Sequence, residues 1–332
     1  MRVLITGAAG FIGQQVLNDL ATRHPDWTLV AADIRPLSHQ GLKSNIEPVS
    51  LDISLPREVT ACVQRWKPDA IVHLASVVTP PRGMSEARLH AIDVGGTRAV
   101  LDAAVAHGVG QLIVTSSGAA YGYYPENAQW IDEQHPLRGH DLFAYARHKR
   151  EVELLLADAR RQHPQLRQLV LRPGTILGEH VNNQITELFQ KRSVLGIRGH
   201  DSRFVFIWDQ DVVAIIREGL ERGAGGIYNL AGDGALSMAE IAGILGKPYR
   251  PLPAGLLRTA LALLKPLGLT QYGPEQLDFL RYRPVLDNRR LKEEFGYRPK
   301  YSSREAFLAF LKVRGIASVG SNSFAKQPEG RP

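Results

Sequence analysis

The chain has 332 residues, 44% of them hydrophobic, enough for an enzyme-sized globular protein with a substantial buried core. Its 40 basic against 33 acidic residues give a net charge of +7, but the basic residues are dispersed and no nucleic-acid-binding motif accompanies them. A nucleic-acid partner is therefore not expected, and an anionic substrate or cofactor accounts for the sign. Cys62 is the single cysteine, which excludes an intrachain disulfide and a cysteine-based zinc site. The longest apolar runs are too short for a membrane span, and the N-terminus enters a strand-like stretch without the pattern of a secretory leader, so a cytoplasmic location is expected.

Taken in order, short β-branched runs alternate with helix-length periodic segments. Val3–Thr6, Thr28–Ala32, Pro48–Leu51, Ala70–Leu74, Gln111–Thr115 and Gln168–Leu171 read as strands. Phe11–Arg23, Pro56–Trp66, Ser85–His107 and Tyr145–Gln162 read as helices. That alternation predicts an α/β fold, a doubly wound parallel (Rossmann) sheet with helices on both faces. Past Pro173 the pattern turns irregular and rich in Gly and Pro, with two later strand candidates, Phe204–Ile207 and Gly226–Leu230, able to return to the main sheet. We expect residues 1–173 to form a dinucleotide-binding domain, 174–314 a smaller substrate lobe, and 315–332 a flexible tail. The apolar segment Leu256–Leu264, after Pro253, is expected to be a lid or packing helix rather than a lipid-contacting surface.

Gly7, Gly10 and Gly13 lie at the junction of the first strand and first helix, in Thr6-Gly7-Ala8-Ala9-Gly10-Phe11-Ile12-Gly13. There glycines serve a tight turn, close approach of backbone to a pyrophosphate, and tight helix-on-strand packing, while the helix N-terminus offers free N–H groups to the phosphates. Asp33 ends the second strand, where a carboxylate accepts hydrogen bonds from the adenosine ribose, favouring NAD. Arg35, two residues on, is the residue that would pair with a 2′-phosphate, so NADP is the alternative. Tyr145 and Lys149, four apart on a helix, project from one face. A lysine ammonium beside a phenol stabilises its ionised form, making Tyr145 a candidate general acid or base.

The glycine spacing, with Thr6 before it, resembles that of the extended short-chain dehydrogenase/reductases, the superfamily of sugar-nucleotide epimerases and hydroxysteroid dehydrogenases. Further segments resemble that superfamily in order: Leu51-Asp52-Ile53, Val72-His73-Leu74-Ala75-Ser76, Asp93-Val94-Gly95-Gly96-Thr97 with Asp in place of the family's Asn, and Thr115-Ser116-Ser117-Gly118-Ala119-Ala120-Tyr121-Gly122. Tyr145 to Lys149, Leu171-Arg172-Pro173, Phe206 to Asp211, Tyr228-Asn229-Leu230 and Phe295 to Pro299 complete the series. Tyr282 to Asp287 resembles the hydroxysteroid dehydrogenase branch.

The resemblance implies cofactor contacts from Gly7, Gly10, Phe11, Ile12, Gly13, Asp33, Arg35, Asp52, Ile53, Leu74, Ala75, Ser76, Asp93, Ser116, Tyr145, Lys149 and Pro173. It makes Ser117, Tyr145 and Lys149 catalytic, with Ser116 as the fallback if the register slips by one. Substrate contacts are assigned to Thr79, Ser117, Tyr145, Asn183 and Arg203, although Arg203 stands about one residue out of the family's register. His148 is expected on the helix surface, His73 as a strand residue, and no metal site is expected. A homodimer through Ser85–His107 and Tyr145–Gln162 is a further implication. Gly118 and Ala119 replace the acids that resembling dehydratases carry, which argues against dehydration. The leading expectation is an oxidoreductase acting on a secondary alcohol or ketone. The alternatives are a nucleotide-sugar epimerase using the same residues, and a non-catalytic NAD(P)-sensing protein.

Overall fold

In the computed structural model, residues 1–35, 37, 41–81, 83–182, 184–266, 273–274 and 276–317 are described. Six strands alternate with helices through the first half: β1 (Arg2–Thr6), β2 (Thr28–Asp33), β3 (Ile46–Ser50), β4 (Ala70–His73), β5 (Gln111–Thr115) and β6 (Arg167–Pro173). Short strands β7 (Thr175–Leu177), β8 (Val194–Ile197), β9 (Arg203–Phe204) and β10 (Phe206–Trp208) precede β11 (Gly226–Leu230), and β12 (Leu236–Ser237) and β13 (Tyr249–Leu252) follow it. The main sheet has seven strands in the order β11-β6-β5-β4-β1-β2-β3, and every neighbouring pair is parallel. Strand order reverses at β1 and β4, and a parallel sheet opens a crevice beyond the carboxyl ends of its strands at that point.

The helices are α1 (Phe11–Arg23), α2 (Pro56–Trp66), α3 (Glu86–His90), α4 (Gly96–Ala106), α5 (Ala144–Gln162), α6 (Gln184–Gln190), α7 (Asp209–Glu221), α8 (Met238–Ile244), α9 (Ala254–Leu264), α10 (Gln276–Arg281) and α11 (Ser303–Val313). Side chains alternate across a strand, so β1 feeds both faces of the sheet. Val3 and Ile5 pack with Val16, Leu20, Val212 and Ile216 from α1 and α7. Leu4 packs on the other face with Val59, Val63, Val100, Ala104, Val152 and Leu156 from α2, α4 and α5. A separate aromatic core holds the late strands and helices together, with Phe189, Phe204, Phe206, Phe307 and Phe310 fully buried.

Two features of the helices bear on the site. Between α3 and α4 the chain does not continue as the uninterrupted helix expected over Ser85–His107: it widens into a π turn at Ala91–Gly95. α9 forms where the apolar segment predicts it but buries no residue, leaving Leu256 and Leu263 61% and 64% exposed. No described helix is long and apolar enough to cross a membrane.

Candidate active site

The turn from β1 into α1 needs its glycines for steric reasons. Gly7 has φ +73°, and a Cβ there would lie 2.7 Å from the backbone nitrogen of Ala75. A Cβ on Gly13 would fall 2.1 Å from the carbonyl oxygen of Gly7. Only glycine satisfies both positions. Gly10 caps α1 without a side chain, so the N–H groups of the first turn are left for another acceptor. Asp33, at the carboxyl end of β2, is buried. Its Oδ2 accepts from the Ala9 N–H (3.0 Å) and its Oδ1 from the Arg35 N–H (2.9 Å), with Arg35 Nε 3.3 Å from Oδ1. The carboxylate thus ties the glycine turn to the second strand.

Beyond this turn lies a cleft of about 520 Å³. It brings together Gly7, Gly10, Phe11, Ile12 and Gly13 with Leu74, Ser76, Thr79, Ser116, Ser117, Tyr145, Lys149 and Pro173. Other predicted residues stand behind or beside it. Ala75 backs Gly7, Ile53 packs into the space a Cβ on Gly96 would need, and the Asp52 carboxylate is occupied by Ser54 and Arg88. Arg203 is half-exposed and pairs with Asp201 at 2.7 Å, and it does not line the cleft. Asn183 lies outside the described residues.

Tyr145 and Lys149 share one face of α5, and Lys149 Nζ is 5.6 Å from the Tyr145 ring centroid. Nζ donates to the Thr115 carbonyl at 3.1 Å, which holds the ammonium at the carboxyl end of β5. Ser116 and Ser117 behave differently. The Ser116 hydroxyl donates to Glu153 Oε1 at 2.6 Å, and Glu153 is clamped by Arg172 at 2.8 and 2.5 Å in a buried network that continues to Tyr121. Among the described residues Ser117 Oγ accepts only the Ala119 N–H (3.1 Å), leaving its proton for an acceptor in the cleft.

A further part of the lining comes from residues that sequence reasoning did not single out. Tyr123, Phe143, Thr175, Phe279 and Arg283 line the cleft. Tyr123 stands 5.7 Å from Phe143 and 5.1 Å from Phe279, edge to face, and burial raises its phenol well above the usual range. Among the described lining residues there is no aspartate or glutamate, whereas Lys149 and Arg283 are cations. Arg283 belongs to a segment noticed only by resemblance, and no local spacing marks it.

Residues 3–231 match the NAD dependent epimerase/dehydratase family, and that span holds the glycine turn, Ser117, Tyr145 and Lys149. The chain belongs to this family. An uncharacterized protein of Mycobacterium tuberculosis (strain ATCC 25618 / H37Rv) is 24% identical over 332 residues, covering 99% of this chain and 88% of the relative. One from Sinorhizobium fredii is 26% identical over 333 residues, covering 91% and 92%. Among solved structures, UDP-glucose 4-epimerase of Thermotoga maritima with UDP-glucose superposes with TM-score 0.72 at 20% identity, covering 95% of this chain and 99% of that one. The dTDP-glucose 4,6-dehydratase of Bacillus anthracis in complex with NAD gives 0.71 at 16%, covering 95% and 96%. At these identities the likeness to the solved structures is one of fold.

Asp93 stands in the π turn and is buried. Asp93 Oδ1 accepts from the Val77 N–H (2.9 Å) and the Ser76 hydroxyl (3.0 Å), and Oδ2 lies 3.1 Å from His148 Nδ1. Burial alone would raise this carboxyl, but the His148 hydrogen bond, the Lys149 charge and the Val77 and Ser76 bonds outweigh it and hold it below the usual carboxylate range. The side chain does not line the cleft; it fixes the loop after β4 that does. His148 corrects the expectation of a surface position, because it is 1% exposed. α5 is covered on one flank by the sheet and on another by the π turn, so the residue beside Lys149 is enclosed as well.

Proposed function

We propose that the protein is an NAD-dependent oxidoreductase that interconverts a secondary alcohol and a ketone through Ser117, Tyr145 and Lys149. The observation carrying this reading is that these three residues share one cleft with the glycine turn and the uncapped N-terminus of α1. The free N–H groups of that helix suit a pyrophosphate, and Asp33 suits the hydroxyls of an unphosphorylated adenosine ribose. Asp33 also favours NAD over NADP, since a 2′-phosphate would meet its charge. Bound NAD supplies the hydride acceptor, and NADH the donor.

The chain's own residues handle the proton. In the oxidative direction the Tyr145 phenolate takes the hydroxyl proton as the carbinol C–H bond gives up its hydride, and the carbonyl forms. The Lys149 ammonium, anchored on the Thr115 carbonyl, stabilises that phenolate. Ser117 donates to the same substrate oxygen and keeps it facing Tyr145. Reduction runs through the same groups in reverse. Gly118 and Ala119 offer neither acid nor base, which weighs against dehydration.

The cationic lining favours one second reading, an epimerase that oxidises a sugar nucleotide transiently and returns hydride to the other face. NADH absorbance separates the two. With NAD and a secondary alcohol, net NADH is expected to accumulate. Conversion of UDP-glucose to its epimer without net NADH would replace the leading reading with the second.

A further inference from the structure

We infer that Arg283 is the receptor for an anionic group, a carboxylate or a phosphate, carried by the substrate. The inference rests on the reading of Tyr145 as the group that exchanges the substrate proton. Arg283 lines the same cleft as Tyr145. Along the wall between them stand Phe143, whose ring is 6.4 Å from that of Tyr145, and Phe279, 6.0 Å from Phe143. The Arg283 guanidinium carbon is 4.3 Å from the Phe279 ring centroid and 4.0 Å from that of Phe204. Two rings therefore fix this cation in the wall of the cleft that holds Tyr145.

Among the described residues that cation has no counter-ion. Its Nη2 donates to the Thr175 hydroxyl at 3.2 Å, a neutral acceptor, while Nη1 meets neither solvent nor a protein acceptor. Burial lowers its pKa to about 10, with Tyr123 opposing the shift. Arg172 shows the contrasting solution, since Glu153 neutralises it through two hydrogen bonds. A guanidinium removed from bulk water without an anion is costly, and a carboxylate or phosphate entering the cleft relieves that cost by pairing with its planar fork. The absence of acidic side chains from the described lining leaves the position to the ligand. The substrate this site fits is a hydroxy or oxo compound whose negative charge is joined to the carbinol carbon through an apolar connection.

Three matched secondary alcohols test this: pentane-1,4-diol, 4-hydroxypentanoate and pentane-1,4-diol 1-phosphate, which present the same carbinol joined through an apolar stretch to a neutral group, a carboxylate or a phosphate. Each is titrated calorimetrically into the NAD-saturated protein. At least one charged probe is expected to bind about tenfold or more tighter than the diol, the scale of a hydrogen bond to a charged group. Preference for 4-hydroxypentanoate assigns a carboxylate, and preference for the phosphate ester a phosphate. Arg283→Leu is expected to abolish the preference with NAD and diol affinity unchanged, Arg283→Lys to retain part of it, and Arg203→Leu to leave it intact. Equal binding of the three probes by the wild type, or a preference that survives in Arg283→Leu, overturns the proposal. Normal turnover in Tyr145→Phe would instead overturn the reading beneath it, leaving the titrations to judge Arg283 as an anion receptor.

Discussion

Ser116 and Ser117 are adjacent in sequence, yet their hydroxyls serve different neighbours. Ser116 is committed to the buried Glu153–Arg172 pair, whereas Ser117 keeps its proton for the cleft. Ser117→Ala is expected to lower kcat by about 10²-fold, the scale of removing one donor from a developing oxyanion, with little change in melting temperature. Ser116→Ala is expected to do the reverse. It removes a donor from a buried carboxylate and costs about 1–3 kcal/mol of stability, with kcat changed only a few-fold. Steady-state kinetics and urea unfolding of the two variants check this. A larger kcat loss in Ser116→Ala would exchange the roles. The sequence pattern alone allowed either serine, because the register of the turn after β5 decides which hydroxyl faces inward.

At the scale of elements, His73 ties three of them together. From the end of β4 its Nδ1 lies 2.7 Å from Thr6 Oγ1 in β1 and its Nε2 3.0 Å from Thr97 Oγ1 in α4. Burial, and then the Lys149 charge, push its pKa from 6.5 down to about 3, against the pull of Asp93. The unfolded chain takes up this proton near pH 6.5 and the folded chain does not until about pH 3, so between these values the unfolded state binds more protons. Stability from this group is therefore present above pH 6.5 and declines as the pH falls, by up to about 1.4 kcal/mol per pH unit. His73→Gln, which cannot titrate, is expected to lose about 2 kcal/mol less than the wild type between roughly pH 7 and pH 5 in urea unfolding. Identical slopes would refute the assignment. The elements that carry these residues were largely legible. Residues 111–115 are a strand and Tyr145–Gln162 a helix, as apolar periodicity predicts, because both signals are short-range. The π turn at Asp93 was not, nor was the burial of His148. Both depend on how α5 packs against the chain between α3 and α4, a contact between residues 55 positions apart.

Over the whole molecule, the glycine turn, Asp33, Tyr145 and Lys149 can be read from the sequence because spacing within a few residues fixes their geometry. The rest of the lining cannot. Tyr123, Thr175 and the pair Phe279 and Arg283 come from three separate segments that meet only in the folded chain. On the proposed reading, Tyr145 handles a proton in a cleft that holds NAD independently of it. Parallel measurement of turnover and of NAD binding in Tyr145→Phe addresses it most directly. Turnover is expected to fall at least about 10³-fold while NAD affinity stays within about twofold. Turnover near the wild-type rate in a variant that still binds NAD would contradict the account.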